Sequence, residues 1–236
     1  MLVLLETKGQ RGRYTALSHH WGKSKITRTT KINLEGQLKS LDFASLTKIM
    51  QQAVVTTRSL SVRYLWIDAI CIIQDSHNDW SLEADDMANI YLNALLTISA
   101  TTTSDHTEGF FRPVLQNENL PPRPHSRKSP IYSRGWTFQE QLLSPRILEY
   151  SENGISWECI FSVSEGRDDI LRFKRALVGF RTTSMALQEQ AHTSWQQIVE
   201  AYSARHLTHE ADKLMAIRGI AKLTGDILQD TFLAGL

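Results

Sequence analysis

Ten consecutive residues, Tyr64-Leu-Trp-Ile-Asp-Ala-Ile-Cys-Ile-Ile73, form an almost unbroken apolar run with one carboxylate, Asp68, inside it. A run of this length, rich in β-branched residues, reads as a strand buried on both faces, which is the habit of parallel sheets. A carboxylate in such a strand costs several kcal/mol, on the order of 2–7, unless it finds hydrogen-bond or charge partners. Asp68 is therefore expected to have a partner: backbone N–H groups, the ring of His19, or the guanidinium of Arg134. It is either a structural acceptor or a site carboxylate with a shifted pKa.

The segments around this run alternate in type. Tyr14-Thr-Ala-Leu-Ser18 is a short β-prone stretch that delivers the polar turn His19, His20, Trp21, Gly22. Apolar residues at Phe43, Leu46, Met50, Ala53 and Val54 follow a helical period and predict an amphipathic helix over about 43–58. Trp80, Ala84, Met87, Tyr91 and Ala94 share another helical face, with Asp79, Glu83, Asp85 and Asp86 near its start, where carboxylates suit the helix dipole. Leu95 to Ala100 is a second buried strand, and the alternation predicts an α/β fold on a mostly parallel sheet flanked by helices.

Five of the six prolines, Pro113, Pro121, Pro122, Pro124 and Pro130, mark a surface loop. A helix from about Arg134 to Leu143 and strands at Arg146–Ser151 and Ile155–Ile160 follow. Beyond Asp168 the pattern is helical, with Trp195, Ile198, Val199 and Tyr202 on one face and Leu214, Ile217, Ile220 and Ala221 on another. The expected organisation is an α/β core over 1–165 and a helical extension packed on it over 166–236.

Composition narrows the function classes. With 236 residues the chain can bury a full core without disulfides or metal. Basic and acidic side chains balance at net +1, so no field draws it to nucleic acid or anionic lipid. Two cysteines, Cys71 and Cys159, suit a reducing compartment, and no segment has the length of a membrane span. A cytoplasmic protein that binds neither nucleic acid nor membrane is expected.

Three polar groupings carry candidate chemistry. Ser18, His19, Trp21 and Gly22 follow the first strand, and ligands of open parallel sheets bind outside the carboxyl ends of strands. Asp68 is the second. The third is Ser133-Arg-Gly-Trp-Thr-Phe-Gln-Glu140, where Trp136 and Glu140 share a helix face, Gln139 lies between them, and Arg134 at the helix start offers a partner for an anion or for Asp68. Each has a plainer reading: strand-end capping, a buried acceptor, an ordinary amphipathic helix. Gly22-Lys-Ser24 imitates the end of a phosphate loop, but Leu17 stands where the earlier glycine is required. No glycine-rich dinucleotide fingerprint occurs, and His206 and His209 lack the partners of a zinc site, so no metal ligands are assigned.

Tyr14-Thr-Ala-Leu-Ser-His-His-Trp-Gly22, Tyr64 to Gln74 and Arg134-Gly-Trp-Thr-Phe-Gln-Glu140 resemble, in order, the three signature blocks of the fungal heterokaryon incompatibility (HET) domain. The likeness extends through Asp79-Trp80, Leu142 to Arg146, Trp157-Glu-Cys159 and Tyr202 to Lys213. It implies a role in non-self recognition and regulated cell death, and self-association. It also implies distant kinship with TIR domains and their flavodoxin-like fold. Some TIR domains cleave NAD with a glutamate in a segment similar to Ser-x-Trp-Cys-x-x-Glu. Here Trp136 and Glu140 keep that spacing, with Thr137 in place of Cys.

The resemblance thus implies Glu140 as the catalytic residue of an NAD(P) glycohydrolase-type site, with His19 and Asp68 supporting it. Ser18, Trp21, Gly22, Arg134, Trp136 and Gln139 would line a nucleotide site, with NAD as substrate and no further cofactor. Two other readings stay open: a non-catalytic signalling module whose blocks form an association surface, and an acid–base enzyme on the same fold acting on another small molecule.

Overall fold

The computed structural model describes residues 1–21, 27–101, 109–111, 130–152, 154–160, 174 and 185–230. Strand β1 (Tyr14–His19) is followed by the short helix α1 (Leu34–Lys39), a 3-10 turn (Phe43–Ser45) and helix α2 (Lys48–Ser59). Then come β2 (Tyr64–Trp66), the one-turn helix α3 (Asp68–Cys71), α4 (His77–Asn93), β3 (Leu96–Ala100), α5 (Gly135–Leu143), β4 (Arg146–Ser151) and β5 (Gly154–Cys159). Helices α6 (Met185–Ser203) and α7 (Met215–Leu228) complete the described chain. The proline-rich loop lies almost wholly outside the described residues, as do Gly22 and most of the segment between β5 and α6.

The strands form one sheet in the order β2-β1-β3-β4-β5. The first four are parallel and β5 returns antiparallel to β4. This is the 2-1-3-4-5 order of doubly wound flavodoxin-like sheets, in which the connection reverses direction between β1 and β3. The expected mostly parallel α/β architecture with C-terminal helices is what the chain adopts.

Two apolar layers sandwich the sheet. On one side Leu17 and Ile98 pack with Ile49, Met50 and Ala53 of α2 and with Ile67, Ile70 and Phe110. On the other, Ala16 packs with Met87 and Tyr91 of α4, Phe138 and Leu142 of α5, Ile198 of α6, and Ile217 and Ile220 of α7. The two C-terminal helices therefore share one apolar layer with α4 and α5. At Gly219 of α7 an added Cβ would collide with Ala88 Cβ and lie 2.7 Å from Gln139 Oε1, so glycine is what lets α7 approach this closely.

Two expected elements differ. The helix expected over 43–58 begins at Lys48: Asp42 Oδ1 accepts from Ala44 N (3.0 Å) to close the 3-10 turn, and Thr47 Oγ1 accepts from Met50 N (3.4 Å) as the cap of α2. The apolar run 64–73 is not one strand. β2 stops at Trp66, and Asp68 opens α3, its Oδ1 accepting from Ala69 N at 2.7 Å. The physical reason is that β2 is an edge strand paired only with β1, so nothing on its outer side continues the ladder. The turn's backbone is satisfied instead by Thr29, whose N–H donates to Ala69 O (2.9 Å) and whose hydroxyl donates to Ile70 O (2.5 Å).

A buried carboxylate that does lie within a strand is Glu149 of β4. Tyr132 Oη (2.9 Å) and Thr101 Oγ1 (3.1 Å) donate to its Oε1, and Ser156 Oγ (3.3 Å) donates to its Oε2. Burial and the Glu149 charge push the Tyr132 phenol far above its ordinary value, so it stays a donor.

Candidate functional site

The carboxyl end of β1 sits at the point where the sheet changes direction, and it carries Ser18 and His19, both buried. Over it, α5 presents Glu140 and α4 presents Tyr91, two helices that pack against each other on the same side of the sheet. Glu140 is 4% exposed and Tyr91 fully buried. The Tyr91 hydroxyl donates to Leu17 O at 3.0 Å, and its ring stands edge-on to Trp66 with centroids 5.6 Å apart.

Burial is the main force on Glu140. It raises the carboxyl, and the neighbouring charge of Asp68 raises it further. Ser18, Arg134 and Tyr91 each favour the charged form, and the balance holds the group at about 7. Ser18 Oγ faces the carboxylate without completing a well-formed hydrogen bond. Tyr91 is the reciprocal case: burial first and then the charge of Glu140 lift its phenol well above the ordinary value, so it remains protonated. An acid poised at neutrality in a closed polar group is what proton transfer or charge stabilisation requires.

The outer side of the cluster is half-exposed and consists of His20, Trp21, Asp68 and Arg134. Trp21 Nε1 donates to Asp68 Oδ2 at 2.7 Å, tying the turn after β1 to the turn after β2. Asp68 has an indole and a backbone N–H as its donors; of the partners the sequence offered, the backbone N–H is found, and the Trp21 indole is an addition. Arg134 caps α5, and its carbonyl accepts from Arg205 NH1 at 3.1 Å. Burial lowers the pKa of His20, and the charge of Arg134 lowers it further.

The candidates thus divide. Ser18, Trp21, Asp68, Arg134 and Glu140 are linked at the carboxyl ends of β1 and β2, through the Trp21–Asp68 hydrogen bond and the groups that act on Glu140, whereas strand alternation turns the side chain of His19 to the sheet face opposite Ser18. Gln139 points the other way, into the packing of α5 against α7, where its Oε1 accepts from Gly219 N at 3.1 Å. Trp136 meets Trp80 edge-on with centroids 6.1 Å apart and donates to Asp212 at 3.4 Å, so its indole is held by α4 and the turn before α7. Gly22 lies outside the described residues. Cys71 lines a separate cavity, and burial pushes its thiol up to about 12, far from a nucleophile's range.

Sequence reading passed over Tyr91, grouping it with the apolar face of α4. The available signal was its hydroxyl: a tyrosine on a helix face that is otherwise fully apolar needs a buried polar partner. His20 was passed over in the same way, because only the fold brings the charge of Arg134 to act on it.

Among the described residues no group of three or more His, Cys, Asp or Glu is placed to hold a metal ion, and no helix is long and apolar enough to cross a membrane. No curated protein and no solved structure matches the chain. The family model described as heterokaryon incompatibility protein (HET) matches residues 14–126, an interval that holds the Ser18–Trp21 turn, Asp68 and Tyr91 and ends before the α5 segment. Three of the elements that converge on the cluster, β1, the Asp68 turn and α4, therefore belong to the matched region, and over those residues the chain is similar to the heterokaryon incompatibility family.

Proposed function

We propose that the cluster around Glu140 hydrolyses the N-glycosidic bond between ribose and nicotinamide in NAD or NADP, as a cytoplasmic effector of heterokaryon incompatibility and regulated cell death. The observation that carries this reading is a nearly enclosed carboxyl held at about 7, at the reversal point of a doubly wound sheet, with the positive charge of Arg134 acting on it. TIR-like glycohydrolases rely on a helix-borne glutamate, and Glu140 on α5 occupies that role.

Cleavage breaks the bond from ribose C1′ to the pyridinium nitrogen. The bonding pair leaves with nicotinamide, which becomes neutral, so no general acid is needed. Positive charge develops on the ribose, and ionised Glu140 stabilises it in a setting where low polarity strengthens the attraction. Water then adds to C1′ and its proton is released, giving ADP-ribose and nicotinamide. Ser18 and Tyr91 favour the ionised form of the carboxylate, Arg134 meets a phosphate, and the Trp21 indole, fixed by Asp68, offers a stacking face.

The test is incubation of concentrated protein with NAD, following nicotinamide release. Glu140→Ala abolishes release while the fold is retained. Absence of turnover by the parent protein under every assembly condition sinks the proposal.

A second reading, a non-catalytic association module, rests on β5. This edge strand exposes Ile155 (60%) and Trp157 (55%) on one face, and its outer edge pairs with no other strand among the described residues. Assembly that rises with concentration, fails in Trp157→Lys and ignores nucleotide would favour it.

A further inference from the structure

At the opposite edge of the sheet from β5, the amino-terminal segment, α2 and β2 enclose a cavity of about 280 Å³. None of Ser18, His19, Arg134 or Glu140 lines it. Its walls are built. Leu41 N donates to Leu2 O (2.8 Å) and Leu4 N donates to Gln37 O (2.9 Å), pinning the first residues along α1. Gly12 lies flat on the Tyr64 ring, where a Cβ would come within 2.7 Å of Cε2.

The lining is aliphatic over most of its surface, with Leu2, Leu46, Val54 and Ile70 among its residues. The hydroxyl of Thr57 is already paired with that of Thr15 at 2.7 Å. Water in such a space finds few of the two to four polar partners it needs, and a void leaves the walls without dispersion contacts. The volume is at the small end of ligand pockets, about 300 Å³ and upward.

Charge at the mouth is of one sign. Arg11, Arg58 and Arg63 line the cavity and are exposed, and no carboxylate lines it. All three gather at the amino-terminal end of the sheet: Arg11 shortly before β1, Arg63 just before the parallel β2, and Arg58 in the last turn of α2, the crossover between them. Leu46, Ile67 and Ile70 lie toward the other end of β2. A cationic mouth over an aliphatic slot is complementary to an anionic head on one hydrocarbon tail.

We propose that this cavity binds a single-chain aliphatic carboxylate of medium length, a free fatty acid, with its head at Arg11, Arg58 and Arg63 and its tail along β2. Trp66 lines the cavity and reports occupancy by fluorescence. Titration of the full chain with decanoate produces a saturable change below the concentration at which decanoate forms micelles. Decanol binds at least fivefold more weakly. Arg58→Gln/Arg63→Gln, altered only at exposed positions, loses at least fivefold for decanoate and nothing for decanol. Val54→Phe, with its fold checked by circular dichroism, loses both. The proposal is overturned by absence of saturable binding to the parent chain, by equal affinity for decanol, or by undiminished binding in folded Val54→Phe. It is also overturned if phosphatidylserine vesicles bind the parent and Val54→Phe equally but not the double arginine variant, which marks a membrane-facing patch instead. If Val54→Phe does not fold, the arginine pair and the decanol comparison decide.

Discussion

Replacing Glu140 with glutamine should make this protein more stable at neutral and alkaline pH. The carboxyl is raised from 4.5 to about 7, first by burial and then by the charge of Asp68. Between those values the native state holds a proton that the unfolded chain has released, so stability falls as pH rises through the window and levels off above about 7. At about 1.4 kcal/mol per pH unit the penalty at pH 8 is on the order of 3 kcal/mol, a large share of the roughly 5–15 kcal/mol that holds a domain folded. Glutamine is close to isosteric and does not titrate. Urea unfolding of both proteins from pH 4.5 to 8.5 should give curves that diverge as pH rises, with Glu140→Gln the more stable at the alkaline end. A difference independent of pH would refute the reasoning, because it would mean that Glu140 ionises in the fold as it does in the open chain.

Under the proposed function the same titration sets the activity. If ionised Glu140 stabilises the oxocarbenium, kcat/KM for NAD cleavage rises with pH through a midpoint near 7, and Glu140→Gln loses at least 100-fold at pH 8. Asp68→Asn removes a charge that raises Glu140, so the midpoint moves down; Tyr91→Phe removes a group that favours the anion, so it moves up, and pH–rate profiles distinguish the two directions. Tyr91→Phe also leaves Leu17 O without its phenol donor and should cost about 1 kcal/mol in denaturant unfolding. Gly219→Ala forces a methyl group against Ala88 and Gln139 and should destabilise by about 1–3 kcal/mol, seen as a lower melting temperature with the cluster at Glu140 unaltered.

The functional cluster also explains a local conflict between stability and position. A carboxyl on a helix face packed over the sheet would be better replaced by an apolar side chain if packing were its only role. Glu149 shows how the fold treats a structural carboxylate: three hydroxyl groups donate to it and complete its hydrogen bonding. At Glu140 burial and the charge of Asp68 outweigh Ser18, Arg134 and Tyr91, so the carboxyl titrates near neutrality. The contrast between these two buried glutamates is what supports a chemical role for one and a structural role for the other.

Most of the architecture was legible in the chain. Apolar runs of strand length separated by helical periodicity specify a parallel α/β sheet, since local sequence sets both the period of each element and the face it buries. The HET-like blocks picked out Ser18, Asp68, Arg134 and Glu140 as residues of interest. Their environment was not legible. Asp68 lies in what reads as a strand, yet at the sheet edge it turns into a helix start with Trp21 as its donor. Gln139 and Glu140 are neighbours in one motif, but the 100° step of a helix sends the first into α7 and the second over β1. Tyr91 looks like core until its hydroxyl is seen between Leu17 and Glu140. Sequence thus determined the elements and the inventory of polar groups. Tertiary structure decided which of those groups meet, how deeply each is buried, and so which carboxyl is poised to react, because desolvation and charge proximity arise only when distant segments pack.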